Sequence, residues 1–302
     1  MTKINFVKAK KSGSRGRRSG PRDSRTSVAF RLGIGILLAL AFITPILWMI
    51  SGALKTSEEV TASPPLLLPS SINFDNFVDA VNYIDFWVYL GNSAIVTVST
   101  VLGTLLSCVP AAYAFAVLRW KGRETTFGVV LFSMMIPFPA VMVPLYLIFK
   151  NLGFIGTLAP LVAPPFFGQF ITPAFSSALA IFLLRQFLSQ IPYELVEAAK
   201  IDGAGPLRLL VQILMPLAKP VIVTVAIMTT LSSWTAFVGP LIFLNSEPLN
   251  TLSLGLQMFQ GRNFTQYNLL LAASTMYVIP VLVLFIFSQK YFTAGATQGA
   301  VK

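Results

Sequence analysis

The sequence has no histidine, one cysteine and little charge: only 11% of its 302 residues are Asp, Glu, Lys or Arg. A single cysteine, Cys108, excludes a disulfide within the chain. The missing histidines exclude Cys/His zinc sites and every mechanism that uses a histidine base. Cys108 lies inside an apolar run and reads as a small packing residue. No G-x-x-x-x-G-K-[ST] motif occurs, so the chain cannot cradle nucleotide phosphates by itself. Its long apolar runs carry no ionisable side chain, which speaks against an intramembrane enzyme such as a lipid-modifying transferase. The same lack speaks against ion-coupled transport through membrane carboxylates. Segments of alternating polarity, the mark of a membrane β-barrel, are also missing.

What the sequence does have is apolar length, with 55% hydrophobic residues. Uncharged runs cover 32–54, 86–118, 125–149, 151–184, 220–246 and 263–289. Each can supply the roughly 20 residues that a helix needs to cross about 30 Å of hydrocarbon. The expectation is an all-α, polytopic membrane protein with six transmembrane helices. Basic residues set its orientation: ten precede the first span, three lie in 119–124, four in 185–219 and two in the tail, against only Lys55, Lys150 and Arg262 elsewhere. Under the positive-inside rule both termini and the 185–219 loop face the cytoplasm.

Residues 1–30 are Gly, Ser, Lys and Arg with few apolar side chains, and are expected to be a disordered basic cytoplasmic arm ahead of a membrane domain over 31–302. The connection 55–88 carries Glu58, Glu59, Asp75, Asp79 and Asp85 and is wet. Thr97, Thr100, Thr104 and Ser107 recur at helical spacing and form one small, hydroxyl-bearing face, expected to serve helix packing, with lining of a pathway as the alternative. Pro137, Pro139 and Pro144 break the regularity of the third span. Pro160, Pro164, Pro165 and Pro173 distort the outer half of the fourth. A C-terminal tail, 289–302, is short, polar and glycine-rich.

The most polar loop lies between two long apolar segments, at 185–219. Pro192 suits the first position of a helix, and Glu194 and Glu197 follow where negative charge complements the helix dipole. The helix is expected to reach Asp202 and to end on Gly203 in the left-handed conformation. Pro206 then restarts a helix toward span five. Ala198 and Ala199 leave room for another surface to approach closely, and Glu197 and Asp202 add directional anchors. Three carboxylates beside small alanines fit a protein partner better than a lipid surface, where Lys, Arg and bulky apolar residues dominate.

The pattern Glu197-Ala198-Ala199, Asp202-Gly203-Ala204 and Ile213-Leu214-Met215-Pro216 resembles the EAA loop of importer-type ABC transporter permeases. MIPFPAVMVPLYLIF and the tail QKYFTAGATQGAVK are similar to the six-span second permease subunit of the carbohydrate-importer, maltose-type group. The resemblance covers nearly the whole chain after residue 30. Gly205-Pro206, where many relatives carry a polar or bulkier residue, departs from it.

The resemblance implies a bacterial or archaeal cytoplasmic membrane protein that is not itself an enzyme. It pairs with a second permease, two ATPase subunits that hold ATP and Mg, and an extracytoplasmic sugar-binding protein. No cofactor and no nucleic acid are implied for this chain. In that setting Glu194, Glu197, Ala198, Ala199, Asp202 and Gly203 dock the ATPase. The cargo is expected to be a neutral sugar or oligosaccharide, because a charged one would favour a fixed counter-charge at the midplane. A glycerol-3-phosphate or other polyol-ester importer is the alternative. Candidate path residues are Gln169, Thr230, Ser233 and Asn245, with Trp234, Phe237 and Tyr277 as aromatic faces for a sugar.

Overall fold

A computed structural model describes residues 25–168, 176–261 and 265–299. Among them the chain is helical, with no strand and one isolated antiparallel bridge between Gln260 and Thr265. The chain divides between Trp48 and Met49 into two compact units.

Helix α1, Arg25–Ala53, is apolar on every side, as expected of a span in lipid. It begins six residues inside the stretch expected to lack structure, and residues 1–24 lie outside the described residues. The second unit contains the last turn of α1. Next comes α2, Ser57–Thr61, closed by a reciprocal capping box between Thr56 and Glu59. Then follow α3, Asp75–Tyr83, and the long α4, Phe86–Ala116.

Proline explains the next break. Helices α5, Arg123–Ser133, and α6, Phe138–Asn151, meet at 95° across Pro137. Proline there has no N–H to continue α5, and it biases the preceding residue away from the helical region. The fourth apolar run is likewise interrupted: α7, Ala159–Val162, passes into a 3-10 turn, Pro164–Phe167, ending at Gly168 with φ +67°. After residues 169–175, which are not described, α8, Ser177–Leu188, starts on a Ser176 cap.

The polar loop contains α9, Tyr193–Ile201, and α10, Pro206–Arg208. A π-helical stretch, Leu209–Leu214, leads into α11, Met215–Leu217, and the chain bends by 81° into α12, Lys219–Trp234. The remaining elements are α13, Val238–Phe243, α14, Leu252–Gly255, and α15, Tyr267–Gly299. The tail expected from residue 289 is helical through Gly299. At 33 residues, about 50 Å, α15 outruns the hydrocarbon thickness.

Among the described residues the third and fourth runs are broken, as their prolines imply, and the fifth is bent at its start. By length and composition, α1, α4 and α15 can each cross a membrane alone, and counting each bent pair as one span gives five. The fourth run is represented by the 12-residue α8 and the turns before it. Two apolar cores sit at opposite ends of α4. One joins its C-terminal half to α5, α8, α9 and the π-helical stretch; the other joins its N-terminal turns to α3, α14 and α15. Lipid is as apolar as leucine, so at membrane depth close contact does the stabilising. The α4–α8 seam accordingly uses Cys108, Ala112, Ala178 and Ala180, all fully buried. Gly103 lets the 3-10 turn cross α4, since a Cβ there would lie 2.9 Å from the Phe166 nitrogen.

Candidate functional site

Helix α9 is shorter by one residue at each end than the sequence implies. Pro192 is its N-cap, with extended ψ of 130°, and Tyr193 is the first helical residue. Glu194 occupies the first turn and Lys200 the last, both favourable to the helix dipole. The C-terminus closes as a Schellman motif: Gly203 N–H donates to the Lys200 carbonyl at 3.0 Å and Ala204 N–H to the Ala199 carbonyl at 2.9 Å. Gly203 has φ +78°, as expected, and an added Cβ would meet nothing within 4 Å. The requirement for glycine is conformational.

One face of α9 belongs to the chain's own core. Val196 and Ala199 are buried against it, at 2% and 6% exposure. Ala199 is therefore a packing residue, which corrects its assignment to the docking surface; its methyl allows α9 to sit close to the core. Glu194, Glu197, Ala198, Asp202 and Gly203 are exposed. Two apolar side chains escaped the sequence reading. Ile201 and Leu207, 86% and 74% exposed, stand on either side of Gly203. The signal was present as two bulky apolar residues flanking a polar helix terminus.

Cation–aromatic and ionic contacts tie α9 and its neighbours to the spans. The Arg119 guanidinium lies 4.9 Å from the Tyr193 ring centre and Lys200 Nζ lies 5.7 Å from it. Arg185, on α8, donates to both Glu124 carboxylate oxygens at 2.8 and 2.7 Å and to the Phe115 carbonyl at 3.2 Å. Its guanidinium also sits 3.9 Å from the Phe127 ring centre. The ends of α4, α5 and α8 are thereby joined at one point, and the start of α9 is held to the turn after α4. Each exposed cation–aromatic contact contributes about 0.5–1 kcal/mol.

The candidate path residues divide. Trp234 and Tyr277 stack with ring centres 5.7 Å apart. Trp234 Nε1 donates to the Tyr277 carbonyl at 3.2 Å and Tyr277 Oη to the Trp234 carbonyl at 2.9 Å. These rings close on each other, leaving less face for a sugar than the sequence implies. Thr230 and Trp234 line a cleft of about 370 Å³ between α4, α12 and α15, together with Thr97, Val98, Val281 and Leu284. Thr230 Oγ1 donates within its helix to the Ala226 carbonyl, whereas Thr97 Oγ1 is buried without a hydrogen-bond partner. Thr97 joins the candidate set, in line with the path-lining alternative for its face. Ser233, Phe237, Tyr277 and Asn245 are not among the lining residues. Phe237 is half-buried at the break after α12, Asn245 is exposed beyond α13, and Gln169 lies outside the described residues.

Comparison with known proteins places this geometry among relatives. The family described as binding-protein-dependent transport system inner membrane component matches residues 103–296. The arabinooligosaccharides transport system permease protein AraQ of Halalkalibacterium halodurans is 33% identical over 93% of this chain and 99% of its own length. The sn-glycerol-3-phosphate transport system permease protein UgpE of Brucella suis is 30% identical over 88% of this chain and 93% of its own. Among solved structures, a chain of a bacterial ABC transporter involved in the import of the acidic polysaccharide alginate superposes with a TM-score of 0.75. That chain is 26% identical, and the match covers 90% of this chain and all of the other.

Proposed function

Because this chain belongs to the family of binding-protein-dependent transport system inner membrane components, we propose that it is one of two permease subunits of an ATP-driven ABC importer for a neutral sugar or oligosaccharide. The observation that carries the reading is α9: a short, Schellman-closed helix with an outward face of carboxylates, Ala198 and Ile201 beside its own core contacts, and with the exposed Leu207 of α10 just beyond it. Two ATPase subunits, holding ATP and Mg, dock on that face. Their closure moves α9, and the motion passes through Tyr193–Arg119 and Arg185–Glu124 to α4, α5 and α8. The second permease supplies the other wall of the path, and an extracytoplasmic binding protein delivers cargo. Both chain termini lie in the cytoplasm of a bacterial or archaeal cell.

The relatives differ in the charge of the cargo their names state, so the reading of a neutral cargo rests on this chain. The cleft between α4, α12 and α15 offers threonine hydroxyls and no charged side chain, whereas an unpaired ion in low dielectric costs several kcal/mol. A glycerol-3-phosphate cargo is the second reading, favoured by the similarity to UgpE, with the counter-charge on the other permease. Uptake by the complete complex in proteoliposomes, with its cognate binding protein, decides between them. Saturable, ATP-dependent uptake of a neutral saccharide is expected; exclusive uptake of an anionic phosphate ester overturns the assignment.

A further inference from the structure

The connection between α2 and α3 turns back onto the end of α1. Ser51 Oγ donates to the Leu67 carbonyl at 2.7 Å, Lys55 Nζ to the Leu66 carbonyl at 2.5 Å, and Asn73 N–H to the Leu54 carbonyl at 3.0 Å. Asn76 Nδ2 closes the arrangement by donating to the Ala53 and Lys55 carbonyls, at 2.8 Å each. Lys55 is 2% exposed and puts its charge at the negative end of the α1 dipole. These bonds set a depth. Leu66 and Leu67 are level with Ser51, inside the last turn of α1, rather than above its end.

Between Thr61 and Phe74 no residue is charged. Leu67, Leu68, Ile72 and Phe74 are 65–76% exposed, and Trp87, in the first turn of α4, is 67% exposed. The backbone of the strap turns inward to the end of α1, while its large apolar side chains turn out. Tryptophan at a helix start marks the headgroup level of a membrane, and uncharged apolar side chains at that level partition into the boundary between headgroups and acyl chains. A soluble partner that came and went would leave them in water.

We propose that the strap 66–74 is a lipid-contacting collar, seated in the membrane interface around the ends of α1 and α4. It fixes the depth of these helices in the bilayer. The proposal rests on the reading of this chain as a permease only in requiring that α1 and α4 span a bilayer.

The test uses the complete complex in proteoliposomes, in a Cys108→Ser background, with an environment-sensitive fluorophore at Leu68→Cys or Ile72→Cys. Glu58→Cys serves as the water-exposed reference, and Leu38→Cys, mid-helix in α1, reports independently whether that helix spans. A nitroxide lipid labelled near the headgroup should quench positions 68 and 72 several-fold more than position 58, and aqueous iodide should do the reverse. Iodide quenching of 68 and 72 as strong as that of 58 overturns the proposal, because the strap then faces water. Protection from both quenchers overturns it as well, because another protein chain then covers the strap. Failure of a deep nitroxide lipid to quench position 38 would instead overturn the spanning role of α1.

Discussion

Gly203 ends α9 in the left-handed conformation and turns the chain toward α10. A β-branched side chain at φ +78° costs roughly 1–2 kcal/mol, while the space around the position is open. Gly203→Val is therefore expected to reduce ATPase association and uptake at normal membrane levels. Gly203→Asn, which tolerates the left-handed region, should retain most of both. Equal loss in both variants would make space, and not conformation, the constraint. The alanine pair was legible only as small residues, since which face of a nine-residue helix packs inward depends on distant partners: Val196 and Ala199 meet a core built from α4, α5 and α8. Leucine at 199 should destabilise the chain by overpacking, at about 1–3 kcal/mol, whereas leucine at 198 should affect only docking. Their thermal aggregation in detergent separates the two. At Glu59, hydrogen bonds from the Ser70 hydroxyl and the Thr56 backbone hold the carboxyl below its usual range. Its contribution is thus present above the unfolded value, about 4.3, and is lost as pH falls through the lower folded value. A fluorophore at Leu68→Cys should keep its emission from pH 7 to 5 and change only in stronger acid.

At the scale of elements, the breaks had causes of unequal visibility. The 95° corner between α5 and α6 was written as Pro137, and the Schellman end of α9 as Asp202-Gly203. The π-helical stretch at Leu209–Leu214 was not. Its apolar spacing reads as ordinary helix, and the wider register shows in bonds such as Met215 N–H reaching back to the Leu210 carbonyl, just before Pro216, which has no N–H to give. The contact that ties α9 to the turn after α4 was equally hidden, because Arg119 is far from Tyr193 in sequence and says nothing singly. If Tyr193 transmits motion through its ring, Tyr193→Phe should preserve the ratio of cargo transported to ATP hydrolysed. Tyr193→Leu should lower that ratio several-fold with ATPase still bound. Unchanged coupling in the leucine variant would leave the contact as packing alone.

For the whole molecule, hydropathy located the membrane domain and its six apolar runs, because it measures compatibility with lipid. It could not report helix continuity, which prolines and backbone hydrogen bonds decide. Among the described residues the 151–184 run accordingly resolves into α7, a 3-10 turn and α8. The proposed orientation rests on nineteen basic residues in the termini and the loops assigned to the cytoplasm, against three in the other connections. An impermeant thiol reagent should reach cysteines at Glu58 and Asn250 from outside intact cells, in a Cys108→Ser background, and should not reach Gly203 or Gly295. Labelling of Gly203 from outside would invert the arrangement. The central claim is that the α9 face meets an ATP-hydrolysing subunit. A photo-activated cross-linker on Ile201→Cys in native membranes tests it most directly. The account predicts a covalent adduct to the ATPase subunit from position 201, and none from position 68. Adducts from 201 confined to lipid or to this chain itself, with the complex intact, would contradict it.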